Sequence, residues 1–277
     1  MSTLEKLFRL DGKVIVVTGA AGLLGQQFAE AIAAFGGTPV LLDIRYSEVK
    51  SLARKLSKQY NTKVFSFDVD ITRENNVREN SILLEEMFGK IDGLVNNAAN
   101  NPRAEVIEQQ NLTRLETFSL DLWNQDIAVG LTGAYLCAKH YGFRMTNNPA
   151  GGVIVNIASD LALISPDQRL YAGSEHASEA QPVKPVSYSV VKTGLIGLTR
   201  YLATYWVDRG VRCNAVCPGG VEDNQSEHFL KQITHRIPMN RLAKSNEYQG
   251  TLIWMLSDAS SYLNGAVVAV DGGRTVW

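Results

Sequence analysis

The strongest constraint on how this chain can fold is its alternation of short β-branched runs with longer amphipathic stretches from end to end. The runs at 13–18, 39–43, 63–67, 91–96, 153–158, 211–216 and 266–271 read as strands. The stretches at 24–35, 48–60, 73–88, 122–145, 186–208 and 246–256 read as helices. Strands that alternate with helices are joined by right-handed crossovers, which gives a parallel sheet covered on both faces. The chain has no internal repeat, linker or low-complexity tract. The expected class is α/β: one doubly wound parallel sheet, a Rossmann fold, over residues 1–277.

Composition narrows the partners. A net charge of −1 and a pI near 6.4 give no electrostatic reason to expect nucleic acid or an anionic membrane. No 18 consecutive apolar residues occur, and MSTLEKLFRLDGK lacks the apolar core of a signal peptide. Cys137, Cys213 and Cys217 are too few and too irregularly spaced for a disulfide framework or a zinc site, and the four histidines do not cluster. A reducing, cytoplasmic setting is expected, in which Asn111-Leu-Thr113 is a chance sequon.

The first run leads into T-G-A-A-G-L-L-G at 18–25. Gly19, Gly22 and Gly25 allow a tight turn, close approach to a pyrophosphate, and packing of helix on sheet. The helix that follows, which begins near Leu24, offers free N–H groups and a positive dipole end to the anion. This is a dinucleotide site, with Leu24 beside the glycines in the binding turn. The second run ends at Asp43, 18 residues past Gly25. A carboxylate there accepts from both ribose hydroxyls and repels a 2′-phosphate, so NAD is favoured over NADP. Arg45 works against this preference, since it is able to accommodate that phosphate.

The pattern Tyr-x-x-x-Lys occurs three times: Tyr46–Lys50, Tyr135–Lys139 and Tyr188–Lys192. Ligands of doubly wound sheets bind beyond the carboxyl ends of the strands, near the switch in strand order. Only Tyr188–Lys192 opens the helix after the fifth strand, the strand that ends in Asn-Ile-Ala-Ser159. A lysine one turn along the same helix face favours the phenolate, so the Tyr188 pKa is expected below its usual value near 10. Tyr188 then serves as general acid or base, and Ser159 restrains the substrate oxygen.

LDGKVIVVTGA, FDVDIT, LVNNAA, IVNIAS, YSVVK, GVRCNAVCPGG and NGAVVAVDGG stand in an order that resembles the short-chain dehydrogenase/reductase superfamily. The resemblance implies that Asp68 and Val69 hold adenine, and that Asn96 lies beside the adenosine ribose. It places the segment from Pro218 to Val221 beside the nicotinamide, and Lys192 on the nicotinamide ribose. It implies Ser159, Tyr188 and Lys192 as the catalytic set and a homotetramer or homodimer as the assembly. SDLALISPDQRLY, KPVSYSVVKTGLIGLTRYLATYW and DGGRTVW resemble bacterial dehydrogenases of flagellin modification and legionaminic-type sugar biosynthesis. That implies a phosphorylated or nucleotide-linked sugar as substrate. A 3-oxoacyl or lipid reductase and a non-catalytic nucleotide sensor are the rival readings.

Three features depart from the family pattern. The G-x-x-G-x-x-G spacing resembles the extended branch of the superfamily. Gly130 stands where an asparagine commonly anchors a relay water; a bend or close packing is the expected reason. From Ser159 to Tyr188 the chain takes 29 steps, about twice the family interval. The added segment, about 160–186, reads as a polar loop over the substrate pocket. Arg169 in that loop, and Arg103 after the fourth strand, are the candidates for gripping a phosphate or carboxylate. Gln168, Tyr171 and His176 are candidates for binding hydroxyls.

Overall fold

The computed structural model describes residues 2–100, 113–171 and 181–277. After a short capped helix α1 (Thr3–Leu7), the chain alternates β1 (Val14–Thr18), α2 (Leu23–Ala34), β2 (Thr38–Asp43), α3 (Tyr46–Tyr60), β3 (Phe65–Asp68), α4 (Glu74–Phe88) and β4 (Gly93–Asn96). A helical run over 120–145 follows, comprising α5 (Leu120–Ile127), α6 (Gly133–Cys137) and α7 (Phe143–Met145), joined by wider π turns. Then come β5 (Gly152–Ile157), α8 (Val186–Tyr205), β6 (Val211–Pro218), α9 (Glu227–Thr234), α10 (Gln249–Leu256) and β7 (Val267–Val270). All seven expected strands form, in one parallel sheet of order β3-β2-β1-β4-β5-β6-β7.

Two-residue periodicity assigns the strands' side chains to two cores. Ile15 and Val17 of β1 face one side, with Phe28 and Ile32 of α2, Leu56 of α3 and Met255 of α10. Val14 and Val16 face the other, with Leu84 of α4, Tyr141 from the run over 120–145 and Leu202 of α8. Both faces are dry, which is why these strands read as continuous apolar runs rather than as alternating ones. Among the described residues no helix is long and apolar enough to cross a membrane.

The strand order reverses between β1 and β4, and the loops beyond their carboxyl ends are fastened together. Thr18 Oγ1 accepts from the backbone N–H groups of Asn97 and Ala98, both at 3.1 Å. Asn97 Nδ2 donates to the carbonyls of Thr18 and Gly19, both at 3.0 Å. Gly19 has φ +62°, and a Cβ there would lie 2.7 Å from Ala98 Cα. The two loops meet too closely for any side chain at that position.

The departure at Gly130 has a packing cause. Gly130 is buried in the π turn Ala128–Thr132, and a Cβ on it would lie 2.5 Å from Val191 Cγ1 of α8. Val191 fills the space that an asparagine side chain would need.

Candidate active site

A cavity of about 560 Å³ runs from the glycine turn to the start of α8. At one end it is bounded by Gly19, Gly22, Leu24 and Asp43; at the other by Ser159, Tyr188 and Lys192, with Pro218 and Val221 alongside. The glycine turn fits a pyrophosphate. A Cβ on Gly25 would lie 2.2 Å from the Gly19 carbonyl oxygen, so no side chain intrudes between turn and helix. Gly22 is the N-cap of α2, and no side chain caps that end, which leaves the first-turn N–H groups facing an incoming anion. Asp43 is buried, and its carboxylate is oriented by the backbone N–H groups of Ala21 (3.0 Å) and Arg45 (2.9 Å). The Arg45 Nε lies 3.6 Å from the same carboxylate.

Val69 lines the cavity, whereas Asp68 and Asn96 do not. Asp68 ends β3 facing solvent. The Asn96 side chain is turned into the sheet, where its Nδ2 donates to Asn156 Oδ1 at 2.8 Å. Asn156 in turn donates to Thr199 of α8 at 2.8 Å. Asn96 therefore braces β4 against β5 through its Nδ2 rather than lining the cavity with its side chain.

Of the three tyrosine–lysine pairs, only Tyr188–Lys192 lines the cavity. Tyr46 is exposed beside Lys50, and Lys139 is held by Glu74 at 2.6 Å. Pro185 caps α8 and starts it just before Tyr188, which puts Tyr188 and Lys192 one turn apart on the face toward β5. The Lys192 Nζ donates to the Ile157 carbonyl at 2.8 Å and lies 5.7 Å from the Tyr188 ring centre. Ser187 donates to Asp126, which ties α8 to α5.

The electrostatics reverse one expectation. Burial pushes the Tyr188 phenol up to about 12; the hydrogen bond with Ser159 opposes this, Asp160 adds to it and Arg274 counters it. Lys192 is itself pushed down to about 8, first by burial and then by the charge of Lys184. An ammonium anchored on a carbonyl and set beyond the ring does not outweigh the desolvation of a phenolate. At neutral pH Tyr188 is therefore a phenol.

Three charged residues in this cavity were not singled out from the sequence. Asp160, next to Ser159, accepts from the Ser159 hydroxyl at 2.9 Å and from Arg274 Nη1 at 2.7 Å. This ion pair is buried, with side chains 8% (Arg274) and 4% (Asp160) exposed. Lys184 places its Nζ 3.8 Å from the Tyr188 ring centre. Burial pushes Lys184 down to about 8, against the pull of Asp160 and Asp126. The sequence did hint at Lys184, which stands one turn ahead of Tyr188 in KPVSY. It held no hint that residue 274 would meet residue 160.

Arg169 requires a correction. Its guanidinium is 84% exposed, lies outside the cavity lining, and is taken up by Asp167 at 2.8 and 2.9 Å. Asp167 also binds Arg236 at 2.8 Å, and these arginines hold its carboxyl well below the usual carboxylate range. The segment 167–169 is thus stapled to the end of α9, and Arg169 does not line the cavity. Gln168 holds the insertion's other end: its Oε1 accepts from the Lys184 N–H at 2.8 Å. Tyr171 lines the cavity beside Phe229, at 5.8 Å between ring centres. Arg103 and His176 lie outside the described residues.

A family model described as Enoyl-(Acyl carrier protein) reductase matches residues 19–275. An uncharacterized oxidoreductase of Thermotoga maritima is 32% identical over 276 residues, covering 96% of this chain and 98% of that protein. A D-threitol dehydrogenase of Mycolicibacterium smegmatis is 31% identical over 277 residues, covering 97% of this chain and 95% of its own. The crystal structure of a gluconate 5-dehydrogenase from Burkholderia cenocepacia in complex with NADP and tartrate superposes with a TM-score of 0.84, at 26% identity and 99% coverage of both chains.

Proposed function

Because this chain belongs to the short-chain dehydrogenase/reductase superfamily and is an oxidoreductase of CH–OH groups, we propose that it interconverts a hydroxyl and a ketone on a sugar-type substrate with NAD(P). The observation that carries this reading is that the Tyr188 phenol, the Ser159 hydroxyl and the Lys192 ammonium border one cavity with the glycine turn. When bound, the nicotinamide supplies or accepts the hydride. The chain's own residues handle the oxygen and its proton. Ser159 turns its hydroxyl from Asp160 to donate to the reacting oxygen, and Tyr188 gives that oxygen a proton in reduction or removes one in oxidation. Lys192 holds the nicotinamide ribose and keeps positive charge near the phenol. Gly19, Gly22, Leu24 and Gly25 take the pyrophosphate, Val69 the adenine, and Pro218 to Val221 the nicotinamide.

The sugar-type substrate is supported by the relatives that act on D-threitol and gluconate. A role in surface-glycan or flagellin-glycan assembly in the cytoplasm rests on the sequence resemblance alone. NAD is our preferred cofactor on the strength of Asp43, although the gluconate dehydrogenase carries NADP. The acyl reading is favoured by the family model's description and by Leu170, Phe229, Ile233 and Leu242 in the cavity wall. The test is a screen of polyols, sugar acids, sugar phosphates, nucleotide sugars and acyl thioesters with both cofactors, monitored at the reduced-nicotinamide absorbance. Turnover confined to acyl thioesters contradicts the sugar assignment.

A further inference from the structure

Asp160 and Arg274 bury two opposite charges next to Ser159. A buried ion pair of this kind adds little stability that well-packed apolar side chains of similar volume would not. What apolar side chains cannot supply is an acceptor for a hydroxyl. The Ser159 hydroxyl has one proton to give, and Asp160 Oδ1 takes it at 2.9 Å. The Ser159 oxygen accepts in turn from the Leu161 N–H at 3.2 Å, and the same N–H reaches Asp160 Oδ1 at 2.8 Å. The other carboxylate oxygen, Oδ2, accepts from Arg274 Nη1 at 2.7 Å.

A stiff turn presents Arg274. Asp271, just after β7, accepts from the N–H groups of Gly273 at 2.9 Å and Thr275 at 2.8 Å, on either side of the arginine. The Asp160 carboxylate is thereby held from two directions, by its own turn through Leu161 and by the C-terminal turn through Arg274. When a substrate oxygen claims the serine proton, the Leu161 N–H still holds the Ser159 oxygen, and Asp160 keeps both of its other donors. A swing of the proton about the Cβ–Oγ bond then suffices. Resting on the oxidoreductase reading and deepening it, we infer that Asp160 and Arg274 are positioning residues that act through Ser159. They fix its hydroxyl oxygen in the cavity wall and park its proton until the substrate arrives.

The first measurement needs no substrate, so its failure is distinct from a failure of the oxidoreductase reading. Crystal structures are determined of the full-length Asp160→Ala/Arg274→Met and Asp160→Asn/Arg274→Met proteins. Each double variant removes the two charges together, so neither leaves one ion of the pair behind. With alanine as the replacement, Ser159 should leave its rotamer or spread over several. With asparagine, whose amide oxygen still accepts, it should stay in place. The second measurement is kcat on a substrate from the screen above. Asp160→Ala/Arg274→Met should lower it about ten-fold at unchanged cofactor affinity, the scale of a partly misplaced contact. Asp160→Asn/Arg274→Met and Arg274→Lys should retain most of the rate. In a Ser159→Ala background, Asp160→Ala/Arg274→Met should add no further loss, because a positioning effect has nothing left to act on. A single, unchanged Ser159 rotamer in Asp160→Ala/Arg274→Met overturns the inference. So does a loss repeated in full in the Ser159→Ala background, which would mark the pair as a general support of the fold.

Discussion

Gly130 allows the packing beneath the active site to be tested quantitatively. Replacing glycine by alanine inside a helix ordinarily stabilises by about 1 kcal/mol. Here the added Cβ would lie 2.5 Å from Val191 Cγ1, so α8 or the π turn must yield. Overpacking of this kind costs about 1–3 kcal/mol, and the two effects sum to a loss of up to about 2 kcal/mol for Gly130→Ala. Val191→Ala alone removes buried methyl groups and costs roughly 1–2 kcal/mol. In the double variant the new methyl occupies the space vacated, so a double-mutant cycle should show a favourable coupling of about 1–3 kcal/mol. Denaturant unfolding of the four proteins measures this. Activity should follow the same pattern: Val191 directly precedes Lys192, so displacing it shifts the ammonium. We expect kcat/KM to drop about ten-fold in Gly130→Ala and to recover in the double variant. A Gly130→Ala protein stabilised by the full helix-propensity gain, with no coupling to Val191, refutes the packing argument.

Three further outcomes concern the site and the exposed face of α8. For reduction, which needs the Tyr188 phenol and the Lys192 ammonium, kcat/KM should be flat below about pH 8 and fall above it as Lys192 loses its proton, because the phenol persists to about 12. For oxidation, which needs the phenolate with the same ammonium, kcat/KM should rise below about pH 8 and level off above it; a reduction rate that climbs with pH contradicts this assignment. Asp43→Asn removes the charge and leaves only one of the two oxygens that accept from the Ala21 and Arg45 N–H groups, so NADP should bind at least about ten-fold tighter by direct titration while NAD weakens. On α8, Tyr201 and Tyr205 stack at 5.3 Å between ring centres yet stand exposed, which supports a second copy covering them; Tyr201→Glu should lower the mass measured by light scattering, and an unchanged mass places any interface elsewhere.

The fold was legible because its signals are local. VIVV, VLLD and GVIVNI need no distant partner to read as buried strands, and the glycine turn declares itself by standing between such a strand and a helix. That Tyr188–Lys192, of the three tyrosine–lysine pairs, borders the cavity was also legible, since it requires only the topology. What escaped were contacts between distant segments. Asp160 and Arg274 are 114 residues apart and meet only because β7 lies at the edge beside β6. Arg169 looked like an anion grip in isolation, but its neighbour Asp167 claims it. The direction of the Tyr188 shift was misread because spacing supplies the distance to a lysine but not the burial that opposes it. Gly130 looked like a lost asparagine until α8 supplied the methyl group that occupies the space.

The most direct test of the central claim is Tyr188→Phe, measured with any sugar-type substrate that the wild-type protein turns over. Removing one hydroxyl from a ring that otherwise keeps its packing should leave calorimetric cofactor binding unchanged and lower kcat by about 10²–10⁴-fold. Turnover that persists at the wild-type rate, with cofactor binding intact, would show that the proton moves through another group.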